Sequence, residues 1–239
     1  MSSQESAAQP ASSPLEALRA IAVQEVTITP ELAHLEIYTM GGLLTLLWHG
    51  PRDADRVVLM GGGAMGGLLG PADGLFHDLG VSFADDGIGT IRLSYREPNH
   101  LNRCVHDMMA AADLAGRKGA EAFITMGHSF GGAVAVGAAL GVRRHTAGVV
   151  LLATQSAGCE HADQLAENDI SLLLFHGDHD EILPAVSSEM VLALAGGHGE
   201  LVMLPGNGHL LAEAGAELRE RLGSWIPDQF AHHRARRPD

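Results

Sequence analysis

Along most of the chain, short β-branched or apolar runs alternate with longer stretches of helical spacing. This is the pattern of strand-helix-strand units that build a parallel sheet. Three runs come first, AVQEVTI at 22–28, LAHLEIY at 32–38 and LLTLLWH at 43–49; the Met-Gly-Gly between the last two reads as the turn of an antiparallel hairpin. RVVLM at 56–60 has no polar alternation, as expected of a strand buried on both faces, and it ends in GGGAMGG. A helical stretch over 71–87 leads to the strand TIRLSYR, helical spacing resumes from Leu101 to Lys118, and AFITM runs as a strand into GHSFGG. Beyond that turn come a helix of small residues (AVAVGAALG), the strands TAGVVLLATQS and ISLLLFHGD, the helix SSEMVLALA and the strand ELVMLPG. An amphipathic helix over 209–226 closes the series. The pattern predicts an α/β fold with a mostly parallel central sheet and helices on both faces. About 14 residues separate LATQS from ISLLLF, too few for a separate lid domain, so the cleft is expected to be open.

Composition narrows the function classes. A chain of 239 residues can bury one sizeable core, and 46% hydrophobic with 18% charged residues is a globular balance. The apolar runs are too short to span a bilayer. MSSQESAAQPASSP has neither a basic start nor an apolar core segment, so residues 1–14 read as a disordered leader rather than a secretory signal. Residues 15–230 then form a single catalytic domain, and HHRARRPD marks a basic C-terminal tail over 231–239, read as a solvated end. A formal charge of −14 argues against nucleic acid as partner, and it carries no information on subunit number. Cys104 and Cys159 form no disulfide framework, which fits a reduced, cytoplasmic setting, and neither the cysteines nor the 14 histidines show metal-ligand spacing. Neither a metal nor an organic cofactor is expected.

The chemistry centres on Gly-His-Ser-Phe-Gly-Gly at 127–132. Random placement in this Gly-rich chain yields ~0.2 copies of Gly-x-Ser-x-Gly, so the pentapeptide alone is weak. Its position adds weight. Ser129 sits where a buried strand gives way to a helix, at the strand ends where open parallel sheets bind ligands, and the helix N-terminus directs free N–H groups at its oxygen. Gly127 and Gly131 let the backbone double back. A phosphate-binding turn is the alternative, but neither GxGxxG nor GxxxxGK is present.

A serine nucleophile needs a base, and the base needs an acid to hold its tautomer. FHGDHDEILP leaves a strand with Asp178, Asp180 and Glu181 as candidate acids. MLPGNGHLL does the same for His209, with His176, His179 and His198 as rivals. His176 reads as a core histidine and His198 as a solvated one. The chain order Ser, Asp, His, each just past a strand, is far less accidental than one pentapeptide. Cys104, one turn before Asp107, is expected to pack rather than react. Arg96 and Glu97 are expected to form a surface ion pair worth ~0–1 kcal/mol rather than to line the cleft.

With these residues in place, the stretch from about Val57 to Ile226 resembles the α/β-hydrolase family, most closely its small lidless members similar to dienelactone hydrolases and related carboxylesterases. The family's acid loop, Gly-x-x-Asp followed by apolar residues and often Pro, matches Gly177, Asp180, Ile182, Leu183 and Pro184. That frame selects Asp180, and the family places its base after the final strand, at His209. The resemblance implies a serine hydrolase acting on a small or medium carboxylic ester, thioester or lactone through Ser129, Asp180 and His209. The oxyanion hole would then come from the Phe130 N–H and from Gly63 or Ala64. Many relatives carry His-Gly after the first central strand, where this chain has Gly61-Gly62-Gly63-Ala64. Met65, Leu68, Leu69 and Phe130 would suit an apolar acyl group. A non-catalytic binding protein on the same fold, a peptidase or an acyltransferase are the competing readings.

Overall fold

The computed structural model describes residues 12–236. Nine strands form one sheet in the order β1-β2-β3-β5-β4-β6-β7-β8-β9. Strands β1 (Ala22–Thr29), β2 (Leu32–Thr39) and β3 (Gly42–His49) make an antiparallel meander, and β3 pairs antiparallel with β5 (Gly89–Ser94). From β5 onward the sheet is parallel: β4 (Arg56–Gly61), β6 (Ala122–His128), β7 (Thr146–Leu152), β8 (Ser171–Gly177) and β9 (Glu200–Leu204) follow in spatial order. The chain adds β5 on one side of β4 and β6 on the other. This reversal opens a crevice at the carboxyl ends of the central strands, the usual ligand position in such sheets.

Two faces are covered because the central strands carry apolar side chains on both faces. Helices α2 (Leu75–Asp85) and α7 (Gly215–Ala235) pack on one face against Val58, Met60, Ile124, Met126 and Val150. On the other face α3 (Leu101–Gly116) and α4 (Phe130–Gly141) cover Leu59, Ile91, Leu93 and Phe123, while α5 (Asp163–Glu167) and α6 (Val186–Leu194) extend the layer over Val149, Leu151, Leu172 and Leu174. Each such side chain, once out of water, stabilises the fold by ~1.5–3 kcal/mol. The small residues of α4 let it lie close to β6 and β7, and most of the helix is buried. By contrast, every residue of β1 is exposed.

Among the described residues no lid intervenes: the connection from β7 to β8 carries only the five-residue α5. No helix among the described residues is long and apolar enough to cross a membrane. The ends differ from the sequence pattern. The closing helix begins at Gly215, after a 3-10 turn at Ala212–Ala214, and continues past Pro227 to Ala235, so the first residues expected in the basic tail are helical. Most of the expected leader lies outside the described residues. Its last three positions, 12–14, are described: Ser13 caps the short helix α1 (Pro14–Ala17), and its Oγ donates to Asp113 of α3 at 2.5 Å.

Candidate active site

Strand β6 ends at His128 and α4 begins at Phe130, so one residue makes the turn between them. Ser129 does so at φ 57°, ψ −123°, a conformation that costs a non-glycine residue ~1–3 kcal/mol. The surroundings hold it there. Its N–H donates to Leu152 O on β7 at 2.8 Å, and its carbonyl accepts the Gly132 N–H at 3.0 Å. A β-carbon on Gly127 would collide with the Gly131 carbonyl, and one on Gly131 would collide with the carbonyls of Gly61 and Gly62. Glycine at both positions is therefore what allows strand, turn and helix to close around a half-exposed serine.

The loop after β4 faces this turn. A β-carbon built on Gly63 would lie 3.5 Å from Ser129 Cβ, so the Gly63 backbone borders the serine directly. Gly63 O accepts the Gly66 N–H at 2.9 Å, and Leu68 O accepts from Arg92 Nη1 at 3.1 Å, which fixes both limbs of the loop. Ala64 is half-buried against the core, and the Phe130 ring is buried in it, which leaves the Phe130 backbone N–H at the start of α4, without an intrahelical acceptor, as its contribution to the site.

The acid arrives on a tight turn after β8. Asp180 Oδ1 accepts the N–H groups of Ile182 and Leu183, each at 2.9 Å, which turns Oδ2 toward the loop after β9. There His209 Nδ1 lies 2.7 Å from Asp180 Oδ2. Asp180 has no exposed side-chain surface, and burial works to raise its carboxyl; the His209 bond and the two backbone N–H groups outweigh it and hold the carboxyl below its usual range. Because a carboxylate accepts, His209 Nδ1 carries the hydrogen, and in the neutral ring Nε2 then presents a lone pair. Asp178 is exposed and accepts the Gly206 N–H instead, at 2.6 Å. Among the described residues no hydrogen bond joins Ser129 Oγ to His209.

Two histidines that sequence reasoning did not assign to the site lie against it. His128 Nε2–H donates to the His209 carbonyl at 2.9 Å, and burial pushes its imidazole down to about 4, so the ring is neutral near pH 7. His176, fully buried, contacts Asp180 from behind. The rival His179 is exposed and His198 is half-buried, bonded to Ile170 O at 3.1 Å. Arg96, expected in a surface pair with Glu97, instead pairs with buried Asp107, while Glu97 pairs with Arg103. The Cys104 thiol is buried, pushed up to about 11, and donates to Glu97 O at 3.2 Å, the behaviour of a packing residue. Beside His209 is a depression of about 370 Å³ lined by Ile182, Leu210, Glu181 and Glu213. Met65, 94% exposed, and Leu69 add apolar surface from the loop after β4.

No family model and no curated protein matches the sequence. Solved structures do match in fold. Est1E from Butyrivibrio proteoclasticus superposes with a TM-score of 0.68 at 17% identity, covering 83% of this chain and 99% of that one. A lidless α/β serine hydrolase from Xanthomonas campestris gives 0.62 at 18% identity, over 84% and 98% of the two chains. Dienelactone hydrolase from Anabaena variabilis gives 0.61 at 17% identity, over 86% and 98%. The fold of this chain is that of the α/β hydrolases.

Proposed function

We propose that residues 15–230 form the catalytic domain of a serine hydrolase of carboxylesterase type, acting on small or medium carboxylic esters, thioesters or lactones. The observation that carries this reading is the 2.7 Å contact between His209 Nδ1 and Asp180 Oδ2, on loops that flank the strained turn bearing Ser129. Ser129 Oγ attacks the substrate carbonyl as its proton passes to His209 Nε2. Asp180 keeps the imidazole in the tautomer that can accept that proton and stabilises the imidazolium that results. The contact between Ser129 and His209 forms in the Michaelis complex, where such bonds commonly tighten. The tetrahedral oxyanion takes the Phe130 N–H at the start of α4 and a second N–H from Gly63 or Ala64; each donor of this kind is worth ~10²–10³ in turnover. Collapse releases the alcohol with the proton from His209, and water activated by the same histidine cleaves the acyl-enzyme.

Ile182 and Leu210 beside His209, with exposed Met65 and Leu69 on the loop after β4, favour an uncharged apolar group on the ester. Est1E has been solved with ferulic acid bound, so feruloyl esters belong beside short p-nitrophenyl esters in the substrate panel. The test is labelling by a fluorophosphonate probe in the native protein and in Ser129→Ala. Labelling and ester hydrolysis that vanish together in the variant support the reading. Well-folded native protein that neither labels nor hydrolyses the panel would replace it with a ligand-binding role on the same fold.

A further inference from the structure

Asp180 meets two histidines, and only one of them faces the cleft. His176 is the penultimate residue of β8, on the face toward α6, with no exposed side-chain surface. Its Nε2 lies 2.9 Å from Leu183 O, and a carbonyl oxygen only accepts, so Nε2 carries the hydrogen. Its Nδ1 lies 2.6 Å from Ser188 Oγ on α6, and in the neutral ring the serine hydroxyl donates to it. Both nitrogens are thus fixed by groups that take no part in the reaction. The same Nε2 stands 3.2 Å from Asp180 Oδ2, the oxygen that receives His209 Nδ1–H. Ile182 and Leu183 on Oδ1 and His209 on Oδ2 give this buried carboxylate three N–H bonds, and the His176 Nε2–H, bonded to Leu183 O, stands as an unshared dipole beside the oxygen that His209 uses.

We propose that His176 is a positioning residue, held by Leu183 and Ser188, whose N–H draws negative charge from Asp180 Oδ2 and so sets how strongly that carboxylate supports a proton on His209. A carboxylate without that N–H dipole beside it favours the charged imidazolium more, so removing the dipole should let His209 stay protonated to higher pH. A general base works best with its affinity for protons matched to the working pH, so a change in the field at Asp180 Oδ2 is felt directly in what His209 can do. The other titratable groups facing His209 are Asp180, His128 from β6, and His179, Glu181 and Glu213 around the adjoining depression; all are unchanged by substitution at His176.

The inference rests on the Ser129, Asp180 and His209 reading for its kinetic arm and not for its spectroscopic arm. Imidazole NMR of the full chain, with the His209 signals assigned by His209→Gln, gives the His209 midpoint without substrate. In His176→Leu that midpoint is expected to rise by ~0.5 pH units or more. In His176→Gln, which keeps an N–H at the position of Nε2, it should stay near the native value. The acid limb of the kcat/KM profile should move with it. A second measurement needs no variant at His176: in the native protein, the His176 ¹⁵N signals should report the Nε2–H tautomer and shift as His209 titrates. A folded His176→Leu protein with an unmoved or lowered His209 midpoint overturns the proposal, as does a His176 signal that is flat through the His209 transition. If Ser129→Ala leaves hydrolysis intact, the triad reading fails, while the NMR arms still decide the role of His176.

Discussion

Two aspartates, Asp107 on α3 and Asp180 after β8, have no exposed side-chain surface, and their surroundings drive them in opposite directions. At Asp107 burial dominates and raises the carboxyl despite the Arg96 backbone N–H, at 2.9 Å from Oδ2, and the Arg96 guanidinium on Oδ1. At Asp180 burial also pushes upward, but the His209 bond and two turn N–H groups prevail and hold the carboxyl low. The partners explain the different uses. Arginine keeps its charge at any working pH, so the Arg96–Asp107 pair is a fixed brace between the end of β5 and α3. Histidine can gain and lose a proton, so under the proposed function the same kind of buried acid serves a reacting centre.

The largest expected effect that separates the two is on turnover. Asp180→Asn should lower kcat by ~10³–10⁴, by permitting the wrong tautomer of His209, with little change in the unfolding midpoint. Asp107→Ala should do the reverse: it leaves Arg96 buried and unmatched, costing ~3–5 kcal/mol in urea unfolding, while kcat per folded molecule is kept. Below these comes a pH effect. His128 and His49 are both pushed down to about 4, chiefly by burial, from 6.5. The unfolded chain therefore binds more protons between those values, and stability that is full above pH 6.5 is lost as the pH falls toward about 4, with His128 contributing on the order of 3 kcal/mol. Thermal unfolding at pH 7 and pH 4.5 should show this slope, and His128→Gln should make it shallower. The smallest effect is at the rim: Arg103→Ala breaks the exposed pair with Glu97 and should cost less than ~1 kcal/mol.

How much of this was legible in the sequence depends on the range of the interactions involved. Strands such as RVVLM and AFITM were readable because burial on both faces demands uninterrupted apolar residues. The candidate serine, acid and base were readable because each follows a strand, and the Gly177 to Pro184 frame points to the carboxylate that meets His209. The partner of Arg96 was not readable, since Asp107 lies a helical segment away and only the packing of α3 brings it back. Nor were the contacts of His128 and His176. His128 reaches a carbonyl 81 residues downstream, and no local pattern distinguishes such a ring from one that merely fills a core. The C-terminal helix was misjudged at both ends: Leu211 takes a left-handed backbone that delays its start, and Pro227 sits inside it without ending it.

The loops of the site are tied to one another as well as to the sheet: the Ala72 N–H donates to Leu210 O at 2.7 Å, and His128 holds the His209 carbonyl. Among the described residues only α5 lies between β7 and β8, so no lid domain is inserted there. For a serine hydrolase built this way, an oil–water boundary has nothing to switch on. Hydrolysis of a sparingly soluble ester should rise smoothly with dissolved substrate and level off at the solubility limit, with no burst of activity when droplets or micelles form.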